Sequence, residues 1–296
     1  MSVVVLGSAN LDLVYSVERI PAPGETVLAR GFEAFPGGKG NNQAIAAARS
    51  GADVRFIVAL GRDAAGDRLA DEARGAGIEL LDRRVEAPTG SAVIFVDRGA
   101  ENSIVVNSGA NAELTALTGA ELDAIATADV LVLQLETPVP TVAEAVRAAK
   151  AAGTRVILNA APSGALPVEV LGGVDVLVVN EHEAAELAGA GTEPMAALTG
   201  HGCAAIITLG PEGALVGLPG ADTATVPGHR VDAVDTTGAG DTFVGAFAAA
   251  LDGLELEALV AATGFANAAA AVAVRRKGAV PSIPTLEEVR EFRAGR

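Results

Sequence analysis

The sequence predicts an α/β protein in which helices flank a mainly parallel sheet and a second, small β-sheet forms a lid. From about Asp129 onward, short apolar runs alternate with helical patterns, as in parallel sheets that are covered on both faces. Two earlier segments, at about 13–36 and 85–107, are rich in β-forming residues and lack a helical pattern. We expect these two segments to pair as a small antiparallel sheet that closes over the main body.

The strands of the main sheet are predicted from apolar runs that end in a polar residue or a glycine. Asn159, Asn180 and Gly210 follow three of these runs directly. In open α/β sheets ligands bind at the carboxyl ends of the strands, so these positions are candidates for chemistry. The predicted strands are 3–6, 130–135, 156–158, 176–179 and 205–209.

Helices are predicted at 42–49, 67–74 and 141–150. The third has Pro138 and Pro140 at its start and Gly153 at its end, which is the usual asymmetry of helix boundaries. No internal repeat, low-complexity tract or linker interrupts the pattern. Residues 1–296 are therefore predicted to form one domain with the lid appended.

The charge balance excludes several classes of partner. The chain has 37 acidic and 21 basic residues and a formal net charge of −16, which repels nucleic acid and anionic membranes. It has no Trp and one Tyr, so aromatic platforms for stacking bases are not expected. A small phosphorylated ligand remains compatible, because backbone N–H groups and one or two cations can bind it locally.

Cysteine and histidine are scarce. Cys203 is the only cysteine, which excludes an internal disulfide and is typical of a reducing compartment. With only His182, His201 and His229, a zinc site is hard to assemble. The N-terminus lacks the basic part of a signal peptide, and the uncharged run 258–274 is shorter than the roughly 20 residues of a membrane helix. We expect a cytoplasmic protein in which this run is a buried helix.

The most specific motif is the run at 235–241 (DTTGAGD), which an apolar helical segment follows at once. Its glycines allow several unpaired N–H groups at the helix start to face one anion, and Asp241 adds a carboxylate beside them. This arrangement suits phosphoryl transfer. It is not a dinucleotide fingerprint, because G-x-G-x-x-G requires glycine where Phe243 stands. An ordinary helix-start turn is the alternative.

A second glycine-rich motif lies at 37–42 (GGKGNN). Three glycines around Lys39 allow close approach of the backbone, although a loop that caps the following helix has the same composition. It is not a P-loop, since that pattern requires glycine at Glu33 and Ser or Thr at Gly40.

Polar residues at other strand ends complete the set of candidates. Asn10 and Asp12 suit the vicinal hydroxyls of a polyol, yet both are also common in turns. Glu136 follows an apolar run, where a helix dipole alone can favour it. Asn180 can cap a helix, and the carboxylates that follow it, including Glu183, can hold water around magnesium.

In combination, these motifs resemble the ribokinase family of carbohydrate kinases. The resemblance extends over essentially the whole chain, with Asn41 as a departure from the more frequent alanine, which we expect to be harmless because Asn42 is retained. It implies the family's fold and the ATP-dependent phosphorylation of D-ribose at the 5-hydroxyl. The matching segments are 7–12, 36–44, 134–136, 180–183, 208–210, 235–241 and 276–282.

The resemblance also assigns roles to residues. It implies that Asp241 is the general base for the sugar hydroxyl and that the N–H groups of 237–240, including Gly238, Ala239 and Gly240, form an anion hole. The implied sugar-binding residues are Asn10, Asp12, Gly38, Lys39, Asn42, Glu136 and Asp241. The implied nucleotide-binding residues are Asn180, Thr208, Gly210, Gly213, Gly240 and Asn267.

The implied cofactors are ATP, Mg²⁺ and a monovalent cation, usually K⁺. Glu183 is expected to organise hydrated Mg²⁺. In this family the lid also pairs two subunits, so the expected partners are a sugar, ATP and a second copy of the chain, with no nucleic acid and no membrane. The implied ligands of the monovalent cation are Asp235, Thr237, Ala273, Arg276, Gly278 and Ser282.

Two other functions stay open at this stage. The same fold and mechanism could act on fructose, a deoxyribose or a nucleoside such as adenosine. A catalytically silent sugar-binding or regulatory protein is disfavoured, because Asp241 and the glycines before it are both present.

Overall fold

The computed structural model describes residues 1–99 and 101–295 and shows two β-sheets, the larger of which is covered by helices. Ala100, within the predicted lid segment 85–107, and Arg296 lie outside the described residues. The strands are β1 (Ser2–Leu6), β2 (Asn10–Ser16), β3 (Gly31–Gly37), β4 (Asp53–Gly61), β5 (Glu79–Val85), β6 (Gly90–Val96), β7 (Asn102–Asn107), β8 (Val130–Leu133), β9 (Arg155–Asn159), β10 (Val176–Asn180), β11 (Ala204–Thr208), β12 (Gly213–Gly217) and β13 (Ala224–Pro227). The helices are α1 (Lys39–Arg49), α2 (Ala64–Gly75), α3 (Gly119–Ala126), α4 (Val139–Ala152), α5 (Val168–Leu171), α6 (Glu181–Ala188), α7 (Pro194–Thr199), α8 (Ala239–Ala250), α9 (Leu256–Ala273), α10 (Ala279–Ser282) and α11 (Leu286–Ala294), with short 3-10 helices at Gly109–Glu113 and Gly210–Glu212.

Within the described residues, the main sheet has nine strands in the order β13-β12-β11-β10-β9-β8-β1-β4-β5. All neighbours from β5 to β11 are parallel, and β12 and β13 extend the β11 edge in antiparallel fashion. The predicted mainly parallel sheet is confirmed. The predicted strand 130–135 ends earlier, at Leu133, because the chain leaves the ladder and Leu135 N donates to Ala161 O instead.

Alternate residues of the central strands enter two separate cores. In β1, Val3 and Val5 pack in the core with α1, α8 and α9, whereas Val4 and Leu6 pack in the core with α3 and α4. All four side chains are fully buried. Side chains alternate along a strand, so a sheet that is covered on both faces requires strands that are apolar throughout.

The helix boundaries follow their predicted signals. Helix α4 has Pro140 in its first turn, and Gly153 ends it in the left-handed conformation with φ 82°. The predicted helices 42–49 and 67–74 are confirmed, and each begins three residues earlier than expected. At α2 the reason is a cap, because the Asp63 side chain accepts a hydrogen bond from Gly66 N.

Helix α9 contains most of the apolar run 258–274. By length and composition alone it could cross a membrane, but 61% of it is buried inside the protein. It packs against α8, α11 and the β12–β13 edge of the main sheet. Its apolar surface therefore contributes to the core, as expected for this run.

The second sheet has four strands among the described residues, in the order β3-β2-β6-β7. Its central pair, β2 and β6, is parallel, so the expected wholly antiparallel arrangement is wrong. The reason is topological. Strands β2 and β6 follow the parallel strands β1 and β5 after short connections, so both leave the main sheet in the same direction. Each then pairs antiparallel with the strand beside it, β3 or β7.

Candidate active site

The carboxyl ends of the parallel strands bring several of the predicted site residues together. Asn159 ends β9, Asn180 ends β10, and Thr208 ends β11 opposite Asn180 in the register. Helix α8 carries Asp241 in its first turn. All four residues line one cavity of about 140 Å³, to which Lys39 also contributes.

Asp241 is 8% exposed, and both of its carboxylate oxygens accept hydrogen bonds. Oδ2 accepts from Asn42 Nδ2 at 2.9 Å, and Oδ1 accepts from Gln43 Nε2 at 2.9 Å. Burial raises the pKa of Asp241 above its ordinary value, while the charge of Lys39 and the two amides oppose the shift and Glu136 adds to it. A buried carboxylate with an increased proton affinity and a fixed orientation is suited to accept a proton.

Asp12 and Glu136 add two further carboxylates. Burial raises the pKa of Asp12 to about 7, and the charges of Glu136 and Asp241 reinforce the shift. Glu136 Oε2 accepts hydrogen bonds from Ser8 Oγ at 2.5 Å and from Lys39 N at 3.0 Å. The negative charges of these carboxylates repel one another. Ligand groups that donate hydrogen bonds stabilise the ionised forms, and the hydroxyls of a sugar are such groups.

Asn10 is oriented by Asn111, which lies in the 3-10 helix Gly109–Glu113. Asn10 Oδ1 accepts from Asn111 Nδ2 at 2.8 Å, and Asn111 Oδ1 accepts from Ala9 N at 3.0 Å. A backbone N–H can only donate, so the second bond fixes which end of Asn111 faces Ala9 and thereby fixes Asn10 as well. The amide nitrogen of Asn10 is left as the donor for a ligand.

The glycines of the 37–42 loop allow its close packing against the start of β2. Gly38 has φ 87°, and a Cβ at this position would lie 2.7 Å from Asn10 N. A Cβ on Gly40 would lie 2.6 Å from Ser8 N. Any larger residue would displace the loop and with it Lys39. We call Asn10, Asp12, Asn42, Glu136 and Asp241 the polar cluster.

The turn before Asp241 offers fewer free amides than predicted. Gly238 has φ 74° and precedes the first residue of α8. Thr237 N donates to Asp235 Oδ1 at 2.9 Å, and Ala239 N donates to Thr236 O at 3.2 Å. The described residues provide no acceptor for the amides of Gly238 and Gly240, so these two amides are the best candidates for the predicted anion hole.

A second cavity, of about 450 Å³, lies on the other side of this turn. Its lining is mostly apolar and includes Val231, Phe243 and Ala271, and we call it the apolar cavity. Thr208 and Gly240 line both this cavity and the 140 Å³ cavity that contains Asp241. The predicted nucleotide-binding residues that line the apolar cavity are Thr208, Gly210, Gly213, Gly240 and Asn267.

Two of the predicted nucleotide-site residues also have structural roles. Asn267 Nδ2 donates to Val226 O at 3.3 Å and to Pro227 O at 3.2 Å, which ties α9 to β13 at the wall of the apolar cavity. Asn180 lines the smaller cavity and caps α6, since its Oδ1 accepts from Glu183 N at 2.8 Å. The capping alternative for Asn180 is thus confirmed.

Glu183 completes this cap, because one of its oxygens accepts from Asn180 N at 2.9 Å. Its other oxygen stays outside the cap, and the residue lines the cavity beside Asp241. No group of three or more His, Cys, Asp and Glu that could hold a metal ion is found in the part of the chain described. A single carboxylate fits a magnesium ion that keeps most of its water and is held chiefly by phosphate oxygens.

Asp235 connects the glycine turn to the segment before α10. Its Oδ2 accepts from Gly278 N at 2.8 Å, and its Oδ1 accepts from Thr237 N and from Thr237 Oγ1 at 2.7 Å. Burial raises the pKa of Asp235, but these hydrogen bonds and the charge of Lys277 outweigh burial and hold the pKa below its ordinary value. The carboxylate is therefore ionised at neutral pH.

The other predicted cation ligands are partly engaged within their own turns. Ala273 O accepts from Arg276 N at 3.0 Å, and Ser282 Oγ donates to Ala279 O at 2.7 Å. Both oxygens keep lone pairs, as does the Asp235 carboxylate. A set of carboxylate, carbonyl and hydroxyl oxygens is chemically suited to an alkali cation.

Sequence reasoning missed a group of buried polar residues behind the polar cluster. Gln43 lies inside a recognised motif, and Gln134 interrupts an otherwise apolar run, so both carried a signal. Asn111 carried none, because its partner is 101 residues away in the chain. The missed residues are Ser8, Gln43, Asn111 and Gln134.

The two sides of this site meet at Asp241. A proton acceptor at this junction can serve an alcohol held by the polar cluster, while unpaired amides at the start of α8 face the adjoining cavities. Such a site is chemically suited to the transfer of a phosphoryl group to a small polyhydroxy compound.

Comparison with known proteins specifies the class further. The pfkB family carbohydrate kinase model matches residues 1–286. The chain is 41% identical to the ribokinase of Haemophilus influenzae over 97% of both chains, and 39% identical to that of Staphylococcus aureus over 98% of both. It superposes with a TM-score of 0.91 on Arabidopsis thaliana ribokinase complexed with ribose and ATP, at 34% identity and over 98% of this chain and 97% of that one. The chain therefore belongs to the pfkB family of carbohydrate kinases, and it is a sugar kinase that uses ATP.

Proposed function

We propose that this enzyme phosphorylates D-ribose at its 5-hydroxyl with ATP and forms D-ribose 5-phosphate. The observation that carries the proposal is the buried Asp241, which belongs to the polar cluster, directly follows Gly240 in the wall of the apolar cavity, and is held by two amide donors. Relatives that are named ribokinases and match almost the whole chain at about 40% identity support ribose as the sugar.

In the proposed reaction, Asp241 accepts the proton of the 5-hydroxyl while the hydroxyl oxygen attacks the γ-phosphorus of ATP. The bond from that phosphorus to the bridging oxygen breaks, and ADP leaves. The amides of Gly238 and Gly240 stabilise the charge on the transferred group, and a preorganised donor of this kind contributes about 3 to 4 kcal/mol. Lys39 lines the same cavity and supplies a positive charge.

Recognition of the sugar follows from the hydrogen-bonding polarity of the polar cluster. Asn10 presents a donor, whereas Asp12 and Glu136 present acceptors. Asn42 Oδ1 is buried and lacks a hydrogen-bond partner among the described residues, so it offers another acceptor. A polyol, whose hydroxyls both donate and accept, matches this mixed set.

The cation proposals rest on the oxygen groups near the glycine turn. Glu183 would hold hydrated Mg²⁺, which neutralises phosphate charge when bound. Asp235 and Thr237, with Ala273, Arg276, Gly278 and Ser282, would hold K⁺ and shape the turn that carries the anion hole. Activity in sodium-only or Tris buffer equal to that in potassium would contradict the potassium site.

The small sheet is the proposed lid, and we propose that it also pairs two copies of the chain. Four of its large apolar side chains, Phe32, Ile104, Val105 and Val106, are more than half exposed, which is costly for a free monomer. Light scattering is expected to give twice the mass of the 29.4 kDa chain. Val105→Glu is expected to lower this mass toward that of a monomer, and a monomeric wild type would contradict the pairing.

Two experiments test the reaction. Asp241→Asn should retain sugar and ATP binding in calorimetry and lose about 10²- to 10⁴-fold in kcat, which is the typical contribution of a general base. Turnover near that of the wild type would contradict the assignment of the base. Comparison of kcat/KM on ribose, 2-deoxyribose, fructose and adenosine tests the substrate, and a clear preference for any compound other than ribose would replace it.

A further inference from the structure

Helices α1 and α8 approach each other unusually closely beside Asp241. A Cβ on Gly245, one turn after Asp241, would lie 2.4 Å from Gln43 O and 2.5 Å from Ala46 Cβ. Only glycine allows this distance. The close crossing fixes the position of Gln43, which is fully buried, relative to the carboxylate of Asp241.

The side-chain amide of Gln43 is held by groups from two strands. Its Nε2 donates to Asp241 Oδ1 at 2.9 Å and to Asn159 Oδ1, at the end of β9, at 3.1 Å. Its Oε1 accepts from Gln134 Nε2, just after β8, at 2.8 Å. Asn159 Nδ2 in turn donates to Val178 O at 3.2 Å, which fixes the orientation of Asn159.

These contacts determine which end of the Gln43 amide faces the base. If the amide rotated by 180°, its oxygen would lie against two other oxygens, and its nitrogen would oppose the Gln134 nitrogen. The contacts with Asp241 and Asn159 would become repulsive, because neither of these oxygens can donate. The donor end of Gln43 is therefore locked toward Asp241.

The charged groups around Asp241 come from three other parts of the fold. Lys39 at the start of α1 favours the ionised carboxylate, whereas Glu136 after β8 and Asp12 in β2 disfavour it. Burial also disfavours the ionised form. Against these effects, Asn42 and Gln43 each provide one neutral donor to one carboxylate oxygen.

We infer that Gln43 is a positioning residue that keeps Asp241 ionised and correctly oriented for proton acceptance, through an amide locked by Gln134 and Asn159. The inference rests on the proposed function, in which Asp241 is the base. Gln43 acts through Asp241, because it lies fully buried behind the carboxylate. A neutral donor suits this role, since a cation there would also hold the carboxylate in an ion pair and lower its basicity more strongly.

The test is the pH dependence of kcat in Gln43→Leu. Loss of the donor should raise the pKa of Asp241, so the acidic limb of the profile should move to higher pH by about one unit. At pH values below the acidic limbs of both proteins kcat should be about tenfold lower than in the wild type, and it should recover as the pH rises. The KM values for sugar and ATP should change by less than about threefold, because the substituted side chain is remote from both.

Two further variants separate positioning from packing. Gln134→Leu leaves Gln43 in place but releases its oxygen, so the limb should move in the same direction by a smaller amount; this variant carries the test if Gln43→Leu does not fold. Asn41→Ala is the matched control. Asn41 is buried in the same turn of α1, and its amide has no hydrogen-bond partner among the described residues, so its profile should match that of the wild type.

A folded Gln43→Leu whose acidic limb stays within about 0.3 units of the wild type would overturn the inference, whatever its kcat. An equal shift in Asn41→Ala would also overturn it, since the effect would then come from packing. Asp241→Asn distinguishes this failure from failure of the proposed function. If that variant retains turnover, the base is misassigned; if it is inactive while the limb does not move, only the role of Gln43 is wrong.

Discussion

The polar cluster and the apolar cavity meet at the start of α8, yet they are built in opposite ways. The polar cluster contains three carboxylates that interact with one another. Its side chains are held in place by hydrogen bonds from Asn111 and Ser8 and by the closely packed glycine loop at 37–42. The apolar cavity is wider and lined mainly by small and apolar residues. Directional hydrogen bonds discriminate among similar polyols far better than apolar contacts do. Selectivity should therefore reside in the polar cluster, and changes in the cavity should be tolerated better.

Among the variants that compare the two regions, the largest effect is expected for the glycine loop of the polar cluster. Gly38→Ala forces a side chain into positive φ and against Asn10 N, so kcat/KM for the sugar should fall at least about 100-fold. Gly24→Ala is the matched control, because Gly24 has φ 84° but open space around its Cβ. If both variants lose activity equally, close packing of the loop is not the cause.

Asp12 tests how much the ionised carboxylates of the polar cluster destabilise the folded protein. A pKa raised from 3.8 to about 7 means that the folded, ligand-free protein binds this proton more tightly than the unfolded chain does. The stability of the wild type should therefore fall as the pH rises from about 4 through 7, by at most about 4 kcal/mol. Asp12→Asn should remove this dependence and be the more stable protein at pH 8 in denaturant titrations. An exposed control, Asp53→Asn, should keep the wild-type slope, and an identical slope in Asp12→Asn would refute the assignment.

Asn111 tests whether a residue behind the cluster sets its polarity. Asn111→Ala leaves Asn10 Oδ1 and Ala9 N without partners and frees the Asn10 amide to rotate. An unpaired buried polar group costs about 1 to 3 kcal/mol. KM for the sugar should therefore rise about tenfold or more. The KM for ATP serves as the internal control. Equal changes in both constants would show a general loss of structure instead.

The smallest effect is expected at the apolar cavity. Asn267→Ala removes two long hydrogen bonds to β13, which contribute about 0.5 to 1.5 kcal/mol each. KM for ATP should rise about two- to tenfold, with KM for the sugar unchanged. A loss as large as that expected for Gly38→Ala would show that the apolar cavity tolerates substitutions no better than the polar cluster does.

Local pattern was sufficient to predict much of the architecture. Apolar runs identified the parallel strands, and Pro140 and Gly153 identified the ends of α4, because these signals act over a few residues. The small sheet was predicted, but the antiparallel pairing of its central strands was wrong. Their direction depends on where β2 and β6 leave the main sheet. The family resemblance implied the residues of the polar cluster and five of the residues that line the apolar cavity, which are Thr208, Gly210, Gly213, Gly240 and Asn267.

The fold class, the kinase family and the glycine turn before Asp241 were predictable from the chain alone, because apolar runs and short motifs carry these features locally. Tertiary contacts set the direction in which the Asn10 amide faces. Tertiary contacts also join Gln43, Gln134 and Asn159 in one hydrogen-bonded group next to Asp241. Those properties depend on contacts between residues about 90 to 200 positions apart. The orientation of an amide is set by its partners in space, and the chain order does not encode it locally.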